Sequence, residues 1–127
     1  MSRTDLCARL LTALAERAPQ ITAIELADHL RDWELIDAAG AVIMRRGAEM
    51  HVAAIPEIRG RWFGSRVREL LRETLEQHGR IDTVVMKDHH IGHAFALRMG
   101  FEQVGESGAV IRYELRKLRH AKSHRTA

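Results

Sequence analysis

The stretch that decides the fold runs from Ile55 to Leu71 and reads IPEIRGRWFGSRVRELL. A short apolar run, HVAAI from His51 to Ile55, leads into it. The chain then meets Pro56, passes through a loop holding Gly60, Gly64 and the arginines Arg59 and Arg61, and opens into an amphipathic helix. Val67, Leu70, Leu71, Thr74, Leu75 and His78 share one face of that helix, and Gly79 supplies its stop. The order is strand, loop, helix. At a helix N-terminus the first backbone N–H groups lack intrahelical partners and the positive end of the helix dipole lies behind them, so such a junction is a natural cradle for a phosphate.

Upstream, Leu6, Leu10, Leu11 and Leu14 recur at helical spacing and predict a helix from about Thr4 to Arg17, closed by Pro19. Thr22 and Glu25 form a capping box, with Ile21 and Leu26 at the staple positions, and predict a second helix from about Ala23 to Leu30. Three short strands follow: Trp33 to Ile36, Ala41 to Arg45 and Glu49 to Ile55, with turns at Ala38-Ala39-Gly40 and Arg46-Gly47. Downstream, IDTVVM from Ile81 to Met86 is a continuous apolar strand of the kind buried inside a sheet. Strand, crossing helix and strand predict a right-handed βαβ unit with the glycine loop at its top. Asp88 is placed to cap a further helix through Met99, ended by Gly100, and Phe101 onward gives two more strands around Glu106-Ser107-Gly108.

The chain of 127 residues is long enough for one domain with its own core. Its charge of +3 is unevenly placed. Arg116, Lys117, Arg119, Lys122 and Arg125 form a basic tail without an acid, and the other fifteen basic residues face seventeen acidic ones in residues 1–115, which are therefore slightly acidic. The expected organisation is a single domain over 1–115 and a basic tail over 116–127, which is either a solvated terminus or a contact for nucleic acid. No apolar run approaches the roughly 20 residues that span a bilayer, and MSRTDLCARLL lacks the order of a secretory signal. A cytoplasmic protein without a membrane anchor is expected. Cys7, the single cysteine, sits at a helical apolar position and reads as a packed thiol.

Two blocks resemble a known family, the GNAT family of N-acetyltransferases. IPEIRGRWFGS is similar to the family's V-x-P-x-Q/R-x-x-G-x-G/A loop, with Arg59 at the Q/R position and Gly64 at the final glycine. HHIGHAFALRMGF is similar to its N-x-x-A-x-x-x-Y-x-x-x-G-F helix ending, with Gly100-Phe101 in register. The resemblance covers roughly Trp33 to Leu115. It implies an α/β (α+β) acyl-CoA N-acyltransferase-like fold, a mixed central sheet of about six strands with four helices, and no counterpart of the family's first strand. It also implies acetyl-CoA as cosubstrate, with the pantetheine arm held at Ala54 and Ile55, between strands that splay apart, and the pyrophosphate on Arg59, Gly60, Arg61, Trp62, Gly64 and Ser65. Arg66 then lies near the phosphates. Three departures from the pattern bear on the chemistry: the middle glycine of the loop is Trp62, the tyrosine that protonates the leaving thiolate falls on Ala96, and the usual asparagine falls on His89.

Glu49 and His51 stand two apart on one face of a strand, and the resemblance places a catalytic base there, Glu49 first and His51 second. A surface carboxylate beside a satisfied histidine is the plainer reading. His89 and His93, one helical turn apart, invite a metal reading, but no third and fourth ligand accompany them and no metal site is assigned. Structural histidines at a helix start are the plainer reading of this cluster, and the alternative is His89 or His90 as a candidate proton donor in place of the missing tyrosine, while the only tyrosine, Tyr113, reads as a half-buried sheet residue.

The function expected from the resemblance is acetyl-CoA-dependent transfer of an acetyl group to an amine, on a small molecule or a protein. The alternative is a catalytically degenerate binding or assembly protein of the same fold, of the kind found among phage-associated proteins. Homodimer formation through an open sheet edge is a further expectation.

Overall fold

The computed structural model describes residues 2–15, 20–54 and 64–118. Among them, in chain order, are α1 (Arg3–Leu14), α2 (Ala23–His29), β1 (Glu34–Ala38), β2 (Ala41–Arg46), β3 (Glu49–Ala53), α3 (Ser65–His78), β4 (Ile81–Met86), α4 (His90–Met99), β5 (Glu102–Ser107) and β6 (Val110–Leu115). Four helices and six strands in this order give the α+β class read from the sequence. The chain divides into two compact units, Met1–Leu70 and Leu71–Ala127, and α3 runs across the division.

In the first unit, two capping boxes start the helices. Ser2 Oγ accepts the Asp5 N–H at 3.1 Å while Asp5 accepts the Ser2 N–H at 3.3 Å, and Thr22 Oγ1 and Glu25 exchange the equivalent bonds at 3.1 and 2.8 Å. The Ser2 box explains why α1 begins one residue before the expected Thr4; the described helix runs to Leu14, and its expected end at Arg17 lies outside the described residues. Leu6 and Leu10 of α1, Leu26 of α2 and Leu30 just beyond it close over Val42 of β2, with Trp33, Leu35, Met44 and Ala53 partly buried against them. Each fully buried leucine here contributes on the order of 1.5–3 kcal/mol.

The strands under these helices form an antiparallel meander, β1–β2–β3. Pairing Ala38 with Ala41 leaves Ala39-Gly40 as the loop, with φ of 54° and 95°, the two left-handed residues of a type I′ turn. Pairing Arg46 with Glu49 leaves Gly47-Ala48, with positive φ at Gly47 alone, a type II′ pattern. Strand alternation then sends Val42, Met44, Arg46, Glu49, His51 and Ala53 to the face that the helices cover.

In the second unit β4, β6 and β5 pair antiparallel in that order. Ile81 and Leu115 are opposite each other and fully buried. Apart from Asp82 and Thr83, IDTVVM is apolar, but it is not buried on both faces as expected. Val84 and Met86 are 38% and 43% exposed, because the pleat turns them to the side opposite Val85, and α4 packs on the Val85 side. A bulge between Gln103 and Gly105 leaves Val104 49% exposed. The expected cap for α4 is also one residue off: His89, not Asp88, is the N-cap, and its side chain makes no capping bond. Gly100, at φ 106°, ends α4 as read from the sequence. No helix among the described residues is long and apolar enough to cross a membrane.

Candidate functional site

The β2–β3 turn determines the first cluster. Because Gly47-Ala48 is a two-residue loop, Arg46 faces Glu49 directly across the hairpin, and His51 follows Glu49 on the same side. Glu49 Oε2 lies 2.8 Å from His51 Nε2, and Glu49 Oε1 lies 3.5 Å from Arg46 Nη2. The Arg46 guanidinium stacks over the Trp33 ring, 4.3 Å from its centroid. The same indole meets His51 with ring centroids 5.4 Å apart and planes tilted by 52°.

Trp33, Arg46, Glu49 and His51 therefore close a ring of four contacts at the rim of the helix-covered face. A carboxylate can only accept when ionised, so in the neutral imidazole the proton sits on Nε2. Glu49 is thus engaged on both oxygens, and a carboxylate that holds an imidazole in one tautomer is the arrangement by which a histidine is oriented as a base. Side-chain exposures of 22% for His51 and 36% for Glu49 leave the pair reachable from solvent. Pairs this exposed add at most about 1 kcal/mol to stability, so the arrangement orders the groups more than it holds the fold.

The expected cofactor residues are only partly described. Ile55, Arg59, Gly60, Arg61 and Trp62 lie outside the described residues. Ala54 follows β3 and is half-buried. Gly64 caps α3 with its carbonyl, which accepts the Arg68 N–H at 3.0 Å, and a Cβ on Gly64 would meet nothing within 4 Å. Ser65 opens α3 and is exposed, and Arg66 pairs with Glu69 at 2.7 Å.

At the start of α4 the histidines take different tasks. His93 Nε2 lies 2.9 Å from the Met86 carbonyl and 3.2 Å from that of Lys87, while its Nδ1 lies 2.7 Å from the Tyr113 hydroxyl. Both ring nitrogens are engaged, which separates His93 from any shared role with His89. The His89 ring packs against Gly92, where a Cβ would fall 2.6 Å from His89 Nδ1 and 2.9 Å from Val85 Cγ1. Tyr113 is 4% exposed, so the expectation of a half-buried sheet residue is corrected: the bond to His93 lets its hydroxyl be buried. Ala96 is buried, without a proton to give. Among the described residues no group of three or more His, Cys, Asp or Glu gathers to hold a metal.

Trp33, Arg46 and Tyr113 were not singled out for these partnerships in the sequence. The signal for Arg46 was present, since a two-residue turn at Gly47-Ala48 implies its opposition to Glu49. Tyr113 and His93 are 20 residues apart, and no local pattern joins them.

No protein-family model matches the chain, and no curated protein matches it in sequence. Solved structures do. PH1933 from Pyrococcus horikoshii OT3 superimposes with a TM-score of 0.63 at 13% identity, over 92% of this chain and 93% of that one. The PaiA N-acetyltransferase from Thermoplasma acidophilum, solved in complex with coenzyme A, gives 0.60 at 10% identity over 88% and 91%. An acetyltransferase from Streptococcus agalactiae 2603 gives 0.60 at 12% identity over 92% and 94%. The fold is that of the acetyltransferases. At such low identity the likeness is one of backbone, and the acetyltransferase fold is what the two sequence blocks and the structural neighbours have in common.

Proposed function

We propose that the chain is an acetyl-CoA-dependent N-acetyltransferase of the GNAT type, with the Glu49–His51 pair as its base. The observation that carries this reading is the 2.8 Å carboxylate–imidazole contact on the strand that leads into the glycine loop of an acetyltransferase fold. The pair takes a proton from the acceptor ammonium or from the attacking amine. The amine nitrogen forms a bond to the thioester carbonyl carbon, the tetrahedral intermediate collapses, the C–S bond breaks, and the thiolate leaves as coenzyme A. With alanine at position 96, the thiolate takes its proton from another group, for which His89 and His90 are the candidates, or from water. The loop residues Arg59, Gly60, Arg61, Trp62 and Gly64, with Ser65, hold the pyrophosphate, and Ala54 and Ile55 hold the pantetheine arm.

A second reading, a protein of this fold that binds without chemistry, draws on Ala96 and on the indole at position 62. Melting with acetyl-CoA and thiol release with an amine panel separate the two. A ligand at about 100 times its Kd stabilises by roughly 2.7 kcal/mol, a clear rise in Tm. A rise together with amine-dependent thiol release supports the enzyme. A rise without release supports a pseudo-enzyme that still binds the cosubstrate, and no shift at millimolar acetyl-CoA rejects the enzyme and favours the binding or assembly protein.

A further inference from the structure

We propose that Trp33 and Arg46 are positioning residues for the Glu49–His51 base, holding carboxylate and imidazole in a single mutual geometry. The inference rests on the reading of that pair as the base. Its structural ground is the closed set of contacts: indole to guanidinium at 4.3 Å, guanidinium to Glu49 Oε1 at 3.5 Å, Glu49 Oε2 to His51 Nε2 at 2.8 Å, and imidazole back to indole at 5.4 Å.

Each member restrains the next in a different way. Strand pairing places Arg46 opposite Glu49, and the first residue pair of the β1–β2 ladder, Glu34 with Arg45, brings Trp33 beside Arg46. The guanidinium carbon sits over the ring while Nη2 faces the carboxylate, so one delocalised group serves both partners at once, which the compact ammonium of a lysine does less well. The carboxylate, fixed at Oε1, offers Oε2 to the imidazole, and the indole limits how far the imidazole can turn about its own side-chain bonds. A stabilising role alone does not account for this, because the Arg46 and Glu49 side chains are 53% and 36% exposed and such pairs contribute little to folding. A base whose reacting nitrogen must meet an amine benefits from losing its rotational freedom before the reaction, since small misplacements slow catalysis severely.

The test uses the full chain in two arms. In the first, 15N shifts of the His51 imidazole are recorded without ligand, at a pH where the ring is neutral, for the wild type, Trp33→Phe, Trp33→Ala and Arg46→Met. Wild type and Trp33→Phe are expected to show one tautomer with the proton on Nε2, and Trp33→Ala and Arg46→Met to show averaged shifts for both nitrogens. In the second, acetyl transfer is measured. Trp33→Ala and Arg46→Met are expected to lower kcat about tenfold or more with the KM for acetyl-CoA changed by no more than about twofold, and Trp33→Phe to recover most of the loss. Arg46→Met changes a half-exposed side chain and keeps the meander intact, so a misfolded Trp33→Ala does not decide the matter. A single Nε2–H tautomer in the folded Arg46→Met protein overturns the proposal. If the chain transfers no acetyl group to any amine, the function proposed above fails and the tautomer arm still decides the positioning claim.

Discussion

Tyr113 donates its hydroxyl proton to His93 Nδ1 across 2.7 Å. The direction follows from the other side of the ring, where Nε2 faces the carbonyl oxygens of Met86 and Lys87, which can only accept. The proton of the neutral imidazole is therefore on Nε2, and Nδ1 has a lone pair to offer. The bond ties the first turn of α4 to β6, and the carbonyl contacts tie it to the end of β4. Tyr113→Phe leaves Nδ1 without its donor and is expected to destabilise the protein by about 1–2 kcal/mol, read from urea midpoints. Amides in the first turn of α4 should exchange faster. Unchanged stability and exchange would show that the bond contributes nothing.

Gly92 is a helix position at which alanine is expected to bring no gain. Alanine normally gains about 1 kcal/mol over glycine within a helix. Here the added methyl would meet His89 Nδ1 at 2.6 Å and the branched Val85 side chain at 2.9 Å, and overpacking of this kind costs about 1–3 kcal/mol. Gly92→Ala is expected to be neutral or destabilising by up to about 2 kcal/mol in denaturant melts, with His89 displaced in its NMR spectrum. A clear gain in stability would mean that α4 moves away from β4 freely.

Ala39 sits at φ 54°, a left-handed conformation that a Cβ disfavours, and is followed by Gly40 at 95°. Asn-Gly is the preferred pair for a type I′ turn, so Ala39→Asn is expected to stabilise by about 0.5–1 kcal/mol and to raise Tm by a few degrees. A lower Tm would argue that the turn is of another type.

If Glu49 and His51 act as one base, Glu49→Gln should lower kcat by about 100-fold or more while binding of acetyl-CoA, followed by calorimetry, is retained. His51→Ala should lose a similar factor, and the double variant should lose little more than either single one, because the two residues work as a unit. Full turnover in Glu49→Gln would move the base elsewhere.

The Asp5 carboxyl is held below the usual carboxylate range, first by the Ser2 hydroxyl and then by the Ser2 backbone N–H. Its folded pKa is thus lower than its unfolded one. The stability that it contributes is complete above the unfolded value and is lost as pH falls through the folded value. Between roughly pH 5 and pH 2, the urea midpoint of Asp5→Asn should fall less steeply than that of the wild type. Parallel curves would show that the capping box is open in solution.

Much of the local structure was legible. Thr22 and Glu25 marked the start of α2, Gly79 and Gly100 the ends of α3 and α4, and IDTVVM the whole of β4. These signals work because caps, turn glycines and apolar periodicity act over a few residues. The candidate base was legible for the same reason, since residues two apart on a strand must share a face. Asp88 misled because an acid before a helix is only a potential cap. The chain places His89 there instead, one residue further on, with its backbone N–H bonded to the Met86 carbonyl at 2.9 Å.

The sequence by itself determined the order of helices and strands, the three hairpin turns and the pairing of Glu49 with His51, all of which depend on neighbours along the chain. Only the tertiary structure decided that Trp33 and Arg46 close around that pair, that the hydroxyl of Tyr113 belongs to His93, and that Val84 and Met86 are left exposed. These depend on which residues distant in the chain are brought together and on which sheet face a helix covers. Apolar patterning restricts such choices without naming them, because an apolar strand reads the same whether one face or both are covered.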